Sequence, residues 1–171
     1  GVPMASYGEV EYSAVEARIA SLLEHEGDFV AAMATVACEL HHSFSHYHWT
    51  GFYRSLPSSA LQGEGPMLAV GPYQGTHGCL RIPFGKGVCG AAAQQRKTQF
   101  VPDVSRFPGH IACSSTTQSE VVVPVLDKSG PVLAVLDVDS NLPSAFTKLD
   151  RDCLERICCM LGQRHWRSGL T

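Results

Sequence analysis

The residues of this chain best suited to chemistry fall between Cys79 and Asp139. Cys79 and Cys89 bracket the run CLRIPFGKGVC, and Cys113 closes FPGHIAC, seven residues before Glu120. All three cysteines stand beside glycine or other small residues rather than on a regular apolar face. Cysteines in Gly/Pro-rich stretches fill cores poorly, whereas loops on a rigid scaffold expose and orient reactive groups well. The chemistry this implies is that of thiols: nucleophilic attack, or exchange between thiol and disulfide.

Carboxylates gather near the same place. Segments 120–126 and 132–138 read as strands, and Asp127-Lys-Ser-Gly130 between them has the composition of a hairpin turn. A four-residue loop sets Glu120 opposite Asp137, and alternation puts Asp139 on the same face. Pro124 marks a bulge or edge position at which this register can slip. Like charges facing each other are destabilising, so the cluster needs open solvent or a positive or proton-sharing ligand. A wet surface satisfies the first condition. A pocket that grips an ammonium group and keeps one carboxyl protonated satisfies the second.

The elements that must position these groups follow from periodicity. Ser13 to Leu23 reads as a short helix behind a tail over residues 1–12, expected to be partly disordered. Residues 28–44 read as a longer helix capped by Asp28, with Phe29, Met33, Val36, Leu40 and Phe44 at helical spacing. His48–Arg54 has strand composition and places Trp49 and Tyr53 on one face, where plain packing is the simpler role. A Pro/Ser/Gly loop over 56–65 leads to strands at 67–70 and 80–82. Gly85 and Gly87 open a helix over 88–95, and 99–101 returns as strand. The irregular segment 102–118 is long enough to suggest function. Thr147 and Asp150 form a capping box for a closing helix to His165, with Leu154, Ile157, Cys158 and Leu161 buried. Together these predict an α+β domain over 1–171: a central antiparallel sheet of about six strands covered by helices.

The totals narrow the field. The 171 residues suffice for a real hydrophobic core, and 44% apolar with 17% charged residues is ordinary globular composition. A net charge of −3 without a basic block argues against nucleic acid and membrane surfaces as partners. No apolar run has the length of a membrane span, and no charged N-terminal region precedes an apolar one. A soluble, cytoplasmic protein is expected; Gly1 reads as the remnant of a tag. Seven cysteines, an odd number, fit a reducing compartment. Cys38, Cys153, Cys158 and Cys159 lie on or beside helical apolar stripes and are expected in the core. Histidines cluster at 41, 42, 46 and 48, yet no CxxC, HExxH or Cys/His zinc spacing is present, so no metal is expected.

The runs RIPFGKGVCG and FPGHIAC, the Ser-Glu pair at 119–120, LDVDS and W-x-G-F-Y resemble, in order, the free methionine-(R)-sulfoxide reductases, single GAF domains that reduce the free amino acid. The resemblance spans about Trp49 to Phe146. It implies that Cys113 is the nucleophile, Cys79 the resolving cysteine and Cys89 the third, auxiliary one. It further implies that Glu120, Asp137 and Asp139 hold the substrate, and that Trp49 and Tyr53 wall its methyl-sulfinyl end. In this family an aspartate usually follows the nucleophile; here Ser114 does, which bears on the tuning of the thiol.

Such an enzyme attacks the sulfoxide sulfur with a thiolate, leaves a sulfenic acid and closes a disulfide. It needs no organic cofactor, only a thioredoxin-type dithiol. A carboxylate cluster raises the pKa of a neighbouring thiol, so activation is expected from backbone N–H groups or from substrate binding. The resemblance leaves a homodimer open. Other readings are a small-molecule sensor without catalysis, or a redox-sensing protein. Gly85-Lys86-Gly87 lacks the spacing of a nucleotide phosphate loop.

Overall fold

The computed structural model describes residues 7–61, 63–111 and 113–167. Helices α1 (Tyr7–Leu22) and α2 (Phe29–Ser43) precede strands β1 (Trp49–Ser55), β2 (Met67–Gln74) and β3 (Arg81–Pro83). Helix α3 (Gly87–Gln95) and β4 (Gln99–Val101) follow, then the hairpin of β5 (Ser119–Leu126) and β6 (Val132–Ser140), and finally α4 (Lys148–Gln163). Single 3-10 turns lie at Ser58–Ala60 and Val104–Arg106. The strands form one sheet in the order β3-β2-β1-β6-β5-β4, antiparallel throughout. The fold is α+β, as the sequence leads one to expect.

Both faces of the sheet are covered, which explains its nearly continuous apolar strands. Val121, Val123 and Val125 of β5, with Ala134, Leu136 and Val138 of β6, pack into the core shared with α1, α2 and α4. The alternate residues turn to the other face, where Val122 and Val135 meet Val88, Ala92 and Ala93 of α3. Helix α3 thus passes over the face that carries the carboxylates. Among the described residues, no helix is long and apolar enough to cross a membrane.

The helix ends carry the signals read from the sequence. Asp28 accepts a hydrogen bond from the Ala31 N–H at 2.8 Å, and Thr147 and Asp150 close their capping box. Asp150, 1% exposed, also accepts from the Tyr12 and Tyr47 hydroxyls and pairs with His46 at 2.8 Å. One carboxylate therefore ties α1, the chain entering β1 and the start of α4 together. Burial alone would raise its pKa. The hydrogen bonds from His46, Tyr12 and the Thr147 N–H outweigh burial and hold it at about 2.

Several expectations need correction. Residues 7–12 of the expected tail form the first turns of α1, and residues 1–6 lie outside the described residues. Strand β2 continues to Gln74 through Gly71 and Pro72. Tyr53 pairs with Val70 and Gly51 with Tyr73, so β2 bulges by one residue and the proline sits in the irregularity. The β5–β6 register differs by two from that expected: Glu120 faces Asp139, and Asp137 faces Val122. The irregularity lies at Val125/Leu126 rather than at Pro124. Because side chains alternate with period two, all three carboxyl residues keep one face. Cys153 and Cys158 are buried, but Cys38 and Cys159 are exposed. Adjacent helical positions lie about 100° apart, so Cys158 and Cys159 cannot both face the core.

Candidate active site

The sheet lays out the site in two transverse rows. Trp49, Asp139 and Glu120 stand side by side on β1, β6 and β5; Gly51, Asp137 and Val122 form the next row. Gly51 is required by what crosses it. A Cβ there would come within 2.2 Å of Tyr73 Cβ and 2.8 Å of Trp49 Cη2. The indole of Trp49 is stacked with Tyr73 at 5.1 Å and with Tyr53 at 5.8 Å between ring centroids. Its Nε1–H donates to the Thr76 carbonyl at 2.8 Å, fixing the loop that leads to Cys79. The aromatic residues thus form a wall and also anchor a cysteine loop.

Cys79 and Cys113 are joined in a disulfide, with Cα atoms 5.4 Å apart and a separation of 34 positions in sequence. Cys79 comes from the β2–β3 loop and Cys113 from the β4–β5 loop. Since β3 and β4 are opposite edges of the sheet, the bridge joins straps from both edges above the carboxylates. Both cysteines are half-buried, so a reductant can reach them. Cys89 differs from them. It lies in the first turn of α3, 4% exposed, where burial and then the charges of Asp137, Glu120 and Asp139 push its thiol well above the usual range.

The carboxyls are poor acids for the same reasons. Burial pushes Glu120 well above the usual carboxylate range, and the Asp139 charge adds to it. Asp137 is raised by burial and by Glu120, with the neighbouring Cys89 acting in the opposite direction. Asp139, partly exposed at its edge, is raised by the burial of its carboxyl and by Asp137. Asp137 Oδ1 is buried without a hydrogen-bond partner. Coupled carboxyls of this kind compete for protons, so the cluster resists full ionisation. Among the described residues, no lysine or arginine pairs with any of the three.

These groups line one cavity of about 30 Å³. Trp49, Tyr53, Cys89, Cys113, Glu120, Asp137 and Asp139 all border it, and Cys79 reaches it through the disulfide. The structure therefore brings together all eight residues singled out from the sequence. Others were not singled out. His110 lies on the Cys113 loop with Nε2 3.5 Å from Glu120 Oε2, and burial lowers its pKa. Its place inside FPGHIAC was the only signal for it. Tyr73 was hidden by the Gly-Pro bulge before it. Lys86, Gly87 and Val88 bring the opening of α3 to the cavity. The first N–H groups of a helix lack intrahelical acceptors and favour an anion. Gly87 adopts φ +61°, and Ile111 of the Cys113 loop packs against it.

The lining thus offers the groups that a small zwitterion calls for: carboxyls toward a cation, a helix start toward an anion and an aromatic wall beside the Cys79–Cys113 bridge. Comparison with known proteins agrees. The GAF domain family matches residues 24–159. GAF domain-containing protein A of Dictyostelium discoideum is 42% identical over 153 residues, covering 90% of this chain and 91% of that one. The free methionine-R-sulfoxide reductase of Escherichia coli (strain K12) is 36% identical over 141 residues, covering 82% and 80%. The solved free methionine-R-sulfoxide reductase of Neisseria meningitidis, in complex with its substrate, superposes with a TM-score of 0.84 at 38% identity, covering 94% of this chain and 92% of that one. The chain belongs to the GAF-domain family of free methionine-R-sulfoxide reductases.

Proposed function

We propose that this protein reduces free L-methionine-(R)-sulfoxide to methionine, and that the residues described above carry the reaction. The observation that carries this reading is the Cys79–Cys113 disulfide at a cavity lined by three carboxyls, Glu120, Asp137 and Asp139. In the dithiol form, the Cys113 thiolate attacks the sulfoxide sulfur, and the carboxyl cluster delivers a proton to the sulfoxide oxygen. The S–O bond breaks, methionine leaves, and Cys113 holds the oxygen as a sulfenic acid. Cys79 attacks that sulfur, water departs, and the disulfide forms. A thioredoxin-type dithiol then restores both thiols by exchange.

The carboxyls bind the substrate ammonium, and the α3 opening receives its carboxylate. Trp49 and Tyr53 wall the methyl-sulfinyl end. The chemistry calls for no organic cofactor, because the two electrons come from the thiols. Cys89, buried with a raised pKa, is unsuited to lead the attack in this arrangement. The Cys113 thiol is itself close to anions, so its activation is assigned to the bound substrate, whose ammonium neutralises them.

The test is turnover of each epimer, first with dithiothreitol and then with thioredoxin. Reduction of the R epimer alone is expected, abolished in Cys113→Ser. Cys79→Ser is expected to release about one methionine per protein when no external thiol is supplied. Absence of turnover with either epimer by folded, reduced protein would overturn the proposal.

A further inference from the structure

Cys89, Glu120 and Asp137 arrive from α3, β5 and β6, so no sequence spacing reveals them as a set. In space, Cys89 Sγ and one oxygen from each carboxylate all lie within 4.8 Å of one another. All three residues are buried, at 4%, 6% and 5% exposure. Asp137 Oδ1 is without a partner, and no lysine or arginine among the described residues pairs with the carboxylates. The carboxylate cluster accounts for an ammonium ligand. It does not account for a buried thiol within 4.8 Å of an oxygen of both Glu120 and Asp137.

We propose that Cys89, Glu120 and Asp137 form a binding site for a thiophilic divalent cation, Zn²⁺, which inhibits the protein by occupying the place of the substrate ammonium. One thiolate with two carboxylates suits zinc, whereas magnesium and calcium take oxygen ligands only. Tetrahedral zinc holds such sulfur and oxygen donors roughly 3.6 Å apart. Side-chain rotation of about an ångström closes the set around an ion. A fourth position faces the cavity of about 30 Å³, which has room for a water ligand. His110, 3.5 Å from Glu120, is the neighbouring nitrogen donor.

Groups facing the ion are Asp139 and Tyr53, besides His110 and the three ligands. The inhibitory role rests on the reductase reading above; the metal site itself does not.

Cobalt(II) titration of the oxidised protein tests the site, because Cys79 and Cys113 are then tied in their disulfide and cannot ligate. A thiolate-to-cobalt charge-transfer band at one equivalent is expected. Cys89→Ser and Asp137→Asn should each weaken it at least about tenfold, the scale seen for losing even an outer partner of a metal ligand. Cys38→Ser and Cys159→Ser, which alter the exposed thiols, should leave it unchanged. Absence of the band in oxidised wild-type protein overturns the site, and so does a band undiminished in both ligand variants.

Inhibition is read from a single turnover of pre-reduced protein without external thiol. Zn²⁺ should slow methionine release, and added sulfoxide should relieve the effect. Stoichiometric Zn²⁺ with unchanged release overturns the inhibitory role. Protein that shows the cobalt band yet reduces no sulfoxide keeps the metal site and loses the reductase reading.

Discussion

Asp137→Asn is expected to make the free protein more stable and the enzyme worse. Asp137 is 5% exposed, its Oδ1 has no partner, and Glu120 lies close enough to raise its pKa. Asparagine keeps the shape, removes the ionisable group, and brings an amide that can donate to Glu120 while its oxygen accepts from Cys89. A buried group left unsatisfied costs about 1–3 kcal/mol. In a domain of this size that is worth a rise in Tm on the order of 5 °C near pH 7.5. The sign of the pH dependence follows from linkage. The folded-state pKa of Asp137 is raised above its ordinary 3.8. Its contribution is fully present below that value and is lost as pH rises through the folded pKa. The advantage of the variant should therefore shrink toward zero near pH 4. Turnover should suffer in the opposite sense. Losing a hydrogen bond from the substrate ammonium to a charged group costs about 1.5–3 kcal/mol, or roughly 10- to 150-fold in kcat/KM. Thermal melts from about pH 4 to 8, beside steady-state assays, test both halves. A Tm at or below wild type near neutral pH would refute the reasoning, as would a Tm gap independent of pH.

Two further substitutions probe the scaffold. Gly51→Ala places a methyl 2.2 Å from Tyr73 Cβ and 2.8 Å from Trp49. A loss of about 1–3 kcal/mol is expected from overpacking, together with a KM that rises more than kcat falls; melts and kinetics show both. Asp150→Asn removes a charged acceptor from His46, Tyr12, Tyr47 and the Thr147 cap. Tm at neutral pH should drop on the order of 5–10 °C. Here the folded-state pKa is depressed to about 2, so the gap from wild type is present above 3.8 and closes as pH falls toward about 2. Melts at neutral and acid pH therefore separate Asp150 from Asp137, since the two gaps have opposite signs.

Much of this arrangement was legible because it depends on parity and local signals. Glu120, Asp137 and Asp139 share a face under any register that differs by two, so the two-residue error left the cluster intact. Asp28 and Thr147 were read correctly because caps are set by residues a few positions apart. Tyr73 was lost because Gly71 and Pro72 look like the end of a strand, whereas the bulge opposite Phe52 carries β2 past them. The encounter of Cys79 with Cys113 across opposite sheet edges depends on the order of all six strands. Residue spacing holds no trace of that order, and only family resemblance suggested the pairing. Cys38 and Cys159 misled because composition assigns a residue to a helix but not always to the correct side of it.

The alternation along β5 and β6 also constrains how the chain can change in length. Shifting either strand by one residue past the other would carry Glu120, Asp137 and Asp139 into the core shared with α1, α2 and α4, and would turn valines into the cavity. An inserted or deleted codon within these strands is therefore doubly damaging. The turn at 127–130 is different. It lies six residues from Glu120 along β5, roughly 20 Å at the rise of a strand, and beyond the irregularity at Val125/Leu126. Changes in turn length there can be absorbed before they reach the carboxylate rows. That turn is the natural place to graft a fluorophore tag or a short epitope without disturbing the site.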